Sequence, residues 1–138
     1  MSKYFTVAEL TRSREAEKRK IDNTPLPEIR VKLTALASSL LDPIREKWGG
    51  PIMVNSGFRC PALNKELKGA VNSQHMKGEA ADITVGSPEQ NERLFNMIIA
   101  MKVAGEIQFD QLLDESGYSW VHISYKTSGT NRGEVKHM

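Results

Sequence analysis

The stretch that most constrains this fold is residues 27–47. Ile29, Leu33, Leu36, Leu40 and Ile44 recur at steps of three or four, laying one apolar stripe along a helix. Pro27 suits a first helical turn. Pro43 lacks the N–H that a regular helix needs there, so a kink or an end to the regular part is expected near Leu41. Trp48-Gly49-Gly50 stops the pattern. The helix reads as the main support of the core, with no chemistry of its own.

At 138 residues the chain is one domain of ordinary size, read here as a single unit over 1–138. Hydrophobic content of 39% and charged content of 26% are those of a soluble globular protein. A net charge of +2 is too small to argue for nucleic acid, and none is expected as a partner. Residues 14–20 are densely basic, but Glu15 and Glu17 interrupt them, which reads as a solvated helix end. Cys60 is the only cysteine, so no internal disulfide forms, consistent with a reducing compartment. The first ten residues lack an apolar core of signal-peptide type, and no run approaches the ~18 apolar residues of a membrane span. Synthesis in the cytoplasm without membrane insertion is the expectation.

The other elements follow from local signals. Thr6 with Glu9 is a capping box, opening a helix over 7–16; residues 1–25 read as that helix plus a linker. A short strand at 52–54 leads into Ser56-Gly57-Phe58-Arg59, and a short helix covers 62–67. Residues 80–85 form a strand with Ile83 and Val85 on one face and Asp82 on the other, beside Ala80 and Thr84. Ser87, Pro88 and Gln90 start a helix whose buried stripe is Leu94, Met97, Ile98 and Met101. Residues 108–115 and 118–125 read as a hairpin joined at Ser116-Gly117, with Val121 and Ile123 facing one way and Trp120, His122 and Ser124 the other. Residues 126–138 read as a polar tail, and His137 as unrelated to any site.

Three residues stand out as metal donors. His75 and Asp82 flank Gly78 and two alanines, and His122 lies downstream. Asp82 and His122 project from the polar sides of their strands, so they meet over one open sheet face, with His75 supplied by a loop. Two imidazoles and a carboxylate suit a catalytic zinc, which needs three protein ligands and one open position. Taken alone, the pair His75 and Asp82 reads rather as a loop histidine and a turn or cap residue.

The wider pattern decides between these readings. Ser73-x-His75-x-x-Gly78-x-Ala80-x-Asp82, then Trp120-Val121-His122, resembles the zinc D-Ala-D-Ala carboxypeptidase and endopeptidase family, peptidase M15. Upstream, Ser56-Gly57-Phe58-Arg59-Cys60-Pro61-Ala62-Leu63-Asn64 is similar to that family's Ser-Gly-Tyr-Arg-Ser-Pro-x-x-Asn segment. The resemblance runs from about residue 33 to 125, and is strongest toward the short phage and prophage endolysin branch. It implies an α+β fold of the hedgehog and DD-peptidase type: a small antiparallel sheet, helices on one side and a zinc cleft on the other. It implies one zinc per chain held by His75, Asp82 and His122, and a monomer that hydrolyses peptidoglycan stem peptides. Such a protein would reach the cell wall after holin- or lysis-dependent release. The alternatives are a non-catalytic module that keeps the zinc, and a virion or tail component.

The resemblance also assigns roles. Arg59 is the expected group for a substrate carboxylate or the oxyanion, since its planar fork matches both. Ser73 is the second substrate-binding candidate. Cys60 replaces the family's serine and reads as a small buried residue. Relatives place an acid three residues before the last histidine, and Ser119 stands there instead. Glu115 is therefore the expected general base, with Asp114 turned to the opposite face. In a two-residue turn Glu115 opposes Tyr118, four residues from His122, which is too far for direct contact at ~3.4 Å per residue.

Overall fold

The computed structural model describes residues 2–138. Six helices and five strands form an α+β domain among these residues: α1 Val7–Thr11, α2 Arg14–Lys18, α3 Pro27–Leu36, α4 Asp42–Trp48, β1 Met53–Ser56, α5 Pro61–Glu66, β2 Ala80–Thr84, α6 Pro88–Val103, β3 Gln111–Glu115, β4 Trp120–Ser124 and β5 Glu134–His137. The strands make one sheet in the order β1-β2-β4-β3-β5, antiparallel except for the last pair, where β5 runs parallel to β3.

The long helical stripe behaves as read. Leu33, Leu36, Leu40 and Ile44 are fully buried, while Ile29 packs at the rim. Between α3 and α4 the helix widens into a π-helical turn, Ala37–Leu41, where the Asp42 N–H reaches back to the Ala37 carbonyl. Pro43 explains this: it donates nothing, and its ring would strike the carbonyl four residues back in a regular helix. One extra residue per turn moves that carbonyl aside without breaking the rod.

This rod packs with the back face of the sheet, where Ala81, Ile83, Leu112, Val121 and Ile123 alternate inward. From α6, Leu94, Phe95, Ile98 and Met101 complete the core. Met97, expected in that stripe, is only half-buried, and Phe95 takes the deeper place. Ser87 caps α6 through the Gln90 N–H. Asn91, 1% exposed, receives the Val85 N–H and donates to the Tyr118 and Ser119 carbonyls, so α6 anchors both the end of β2 and the hairpin turn.

Three expectations are corrected. The N-terminal helix over 7–16 is two short helices: α1 keeps its Thr6 and Glu9 capping box, but Ser13 caps a separate α2. The hairpin turn has four residues, since Glu115 pairs with Trp120 rather than Tyr118. Ser116 and Tyr118 both take positive φ there, a cost met by anchoring the turn to Asn91 and stacking Tyr118 edge-on against Phe95 at 5.5 Å. Residues 126–138, read as a polar tail, contain β5, which continues the sheet beyond β3.

Candidate metal centre

The site is built where β2, β4 and a loop converge. Asp82 and His122 are direct partners across the β2–β4 ladder, so their side chains leave the same face of the sheet. His75 comes from a single 3-10 turn, Gln74–Lys77, which follows Ser73 and ends at Gly78. The Ser73 hydroxyl accepts the His75 N–H at 3.2 Å, so this side chain shapes the loop that presents the imidazole. Gly78 sits in the left-handed region at φ 72°, and a Cβ there would lie 2.9 Å from Ile29 Cγ2 and 3.0 Å from the Ile29 carbonyl oxygen. The loop is thereby seated directly on α3, and the core stripe holds the turn that carries His75 in place.

Donor atoms of His75, Asp82 and His122 lie within 4.8 Å of one another. His75 Nε2 stands 3.4 Å from Asp82 Oδ1, and His122 Nδ1 stands 3.0 Å from the same oxygen. Outer partners dictate which ring nitrogens carry protons. His75 Nδ1 lies 2.7 Å from the Gly57 carbonyl, which can only accept, so this nitrogen is the donor and Nε2 keeps its lone pair. Gly57 is held in turn by the N-terminal segment: Phe58 N–H donates to the Leu10 carbonyl at 2.7 Å, and a Cβ on Gly57 would lie 2.2 Å from that oxygen.

The second histidine is set through a longer chain. The Arg132 guanidinium forms two bonds to Asp110, of 3.0 and 2.8 Å, and the Arg132 backbone N–H adds a third at 3.1 Å. Asp110 is fully buried, and the bonds from Arg132 outweigh that burial to hold its carboxyl well below the usual carboxylate range. An ionised Asp110 only accepts, so the Gln74 amide must present its NH₂ end to it, at 2.8 Å. The Gln74 carbonyl oxygen then faces His122 Nε2 at 3.5 Å and can accept its proton, which frees Nδ1, 3.0 Å from Asp82 Oδ1, for a metal.

With that tautomer, three lone pairs point at one another from His75 Nε2, His122 Nδ1 and Asp82 Oδ1. Converging lone pairs repel unless a cation lies between them, and two imidazoles with one carboxylate are a donor set that zinc fits.

The donors line the wall of a cleft of about 750 Å³, together with Arg59, Ser73 and Glu115. Arg59 is anchored by Ser56 Oγ at 3.1 Å and Asn64 Oδ1 at 3.4 Å, and its other guanidinium arm stands 3.6 Å from Asp82 Oδ2. Leu113, not Glu115, lies directly opposite His122, and Glu115 is the next residue on that face. The four-residue turn thus brings Glu115 two positions closer to His122 than a two-residue turn allows. It leaves about 7 Å along the strand, within the span of a glutamate and one water. Glu79 also lines the cleft, but Lys32 faces it at 4.0 Å. Asp114 turns to the other face and pairs with His137. Ser119 is exposed, and its hydroxyl closes the turn on the Ser116 carbonyl at 2.7 Å. Cys60 is half-buried, with its N–H held by Asn23. Sequence reasoning overlooked Gln74, Asp110 and Arg132. The available signal was Asp110, a lone acid set among Ile107, Phe109 and Leu112.

An α+β domain that gathers such a donor set beside a free carboxylate and a buried-edge arginine has the frame of a mononuclear metallohydrolase. The chain belongs to the peptidase M15 family, whose model matches residues 3–124. It is also similar to the zinc D-Ala-D-Ala carboxypeptidase of Streptomyces albus G, at 45% identity over 60 residues, covering 39% of this chain and 24% of that protein. The matched part is thus about a quarter of the relative's length.

Proposed function

We propose that this protein is a zinc-dependent peptidase that hydrolyses a peptide bond in peptidoglycan stem peptides, as a D,D-carboxypeptidase or an endopeptidase. The observation that carries the reading is the convergence of three donor atoms beside Glu115 and Arg59 in one open cleft. The substrate class rests on the name of the Streptomyces relative and on the family match.

His75, Asp82 and His122 would hold the zinc, which supplies Lewis-acid polarisation of a carbonyl and lowers the pKa of water to about 7. Glu115 accepts the proton of the attacking water and returns it to the leaving amine. Arg59 grips a substrate carboxylate or the developing oxyanion; its anchors, Ser56 and Asn64, hold the guanidinium plane before substrate arrives. Ser73 presents His75 and meets substrate where the loop borders the cleft. The protein acts as a monomer and reaches the wall after holin- or lysis-dependent release from the cytoplasm; no described helix is long and apolar enough to cross a membrane.

Mass spectrometry of muropeptides after digestion of purified sacculi tests this reading. The expected product is a stem peptide shortened by its terminal D-alanine, or a cross-link cut into two stems. Zinc-loaded protein that leaves every muropeptide intact would transfer the assignment to a non-catalytic zinc module.

A further inference from the structure

We infer that Gln74, Asp110 and Arg132 form a positioning relay that fixes His122 for its metal, so that the segment after β4 tunes metal affinity. The inference rests on the zinc-site reading above. None of the three residues faces the donor cluster as a ligand. Each acts through the next: Arg132 holds Asp110 by three bonds, Asp110 turns the Gln74 amide, and the amide oxygen directs the proton of His122 to Nε2. Charge sign sets the direction at every step, because a guanidinium only donates and a carboxylate only accepts.

The relay spans three regions far apart in sequence. Gln74 precedes His75 in the loop, Asp110 precedes β3, and Arg132 lies between β4 and β5. Asp110 also receives the N–H of Glu134 at its backbone carbonyl, so the same residue pins the start of β5. The two histidines are therefore oriented by different partners, His75 by the Gly57 carbonyl and His122 by this chain of side chains.

The test is zinc affinity, measured by titrating metal-free protein against a chromophoric chelator. Gln74→Leu and Arg132→Gln should each weaken zinc binding about 10–100-fold, the usual cost of losing an outer partner of a ligating histidine. The double variant should bind no more weakly than Gln74→Leu alone, since Arg132 has no route to His122 once the amide is gone. The visible bands of the cobalt-substituted protein should shift in both single variants, whereas general loosening lowers only the thermal midpoint of the metal-free protein. Arg132→Gln binding zinc within about twofold of wild type, or losses that multiply in the double variant, would overturn the relay. Wild-type protein that fails to bind zinc would remove the function reading and the relay together; tight wild-type binding with indifferent variants would remove the relay alone.

Discussion

At the scale of single residues, the proposed site separates holding a metal from moving a proton. Glu115→Gln keeps the size of the side chain but cannot accept a proton. It should retain zinc and lose about 10²–10⁴-fold in turnover, measured on a purified muropeptide alongside metal content. Asp114→Asn is the matching control, because Asp114 faces His137 on the opposite side of the sheet. A dead Asp114→Asn beside an active Glu115→Gln would reverse the assignment. Arg59→Lys keeps the charge and loses the planar fork that Ser56 and Asn64 position, so kcat/KM should fall by more than about tenfold with zinc content unchanged. The grouping of His75, Asp82 and His122 was legible because the motifs around them resemble those of a known family; the bare pair of His75 and Asp82 was not enough. Gln74 and Arg132 were not legible. A glutamine or an arginine declares nothing until its partner is known, and here the shared partner Asp110 lies 36 positions from Gln74 and 22 from Arg132.

Among the elements, the most exacting contact is between the N-terminal segment and the strand-to-loop passage after β1. The Leu10 carbonyl lies where a Gly57 side chain would start. Gly57→Ala should push these backbones apart and shift the carbonyl that orients His75, so zinc affinity should fall along with stability. Leu40→Ala, in the core stripe far from any donor, should cost about 2–5 kcal/mol by denaturant unfolding and leave zinc stoichiometry intact. Helix α6 and the α3–α4 rod were readable because their apolar spacing and caps are local properties. The hairpin register was not. A two-residue turn was the simplest reading of Ser116-Gly117, but Asn91 and Phe95 reward a longer turn that places Tyr118 against α6. The slip was by two residues, an even number, so the face assigned to Glu115 survived while its distance from His122 did not.

For the whole molecule, stability should depend on acid in a defined way. Asp110 has a depressed pKa in the fold, so its contribution is full above the unfolded value of about 4 and is lost as pH falls below that range. The difference in thermal midpoint between wild type and Asp110→Asn should be widest near neutral pH and should narrow below about pH 4. A gap of constant size would mean that the Asp110 carboxyl titrates alike in the folded and the unfolded chain. The parallel pairing of β5 with β3 has a consequence for biosynthesis. A ribosome delivers His75 and Asp82 early, His122 much later, and Arg132 later still. A nascent chain therefore exposes two loose donors well before the third arrives with its orienting partners. If these residues hold zinc, tight capture of the metal should wait until His122 and Arg132 have both emerged.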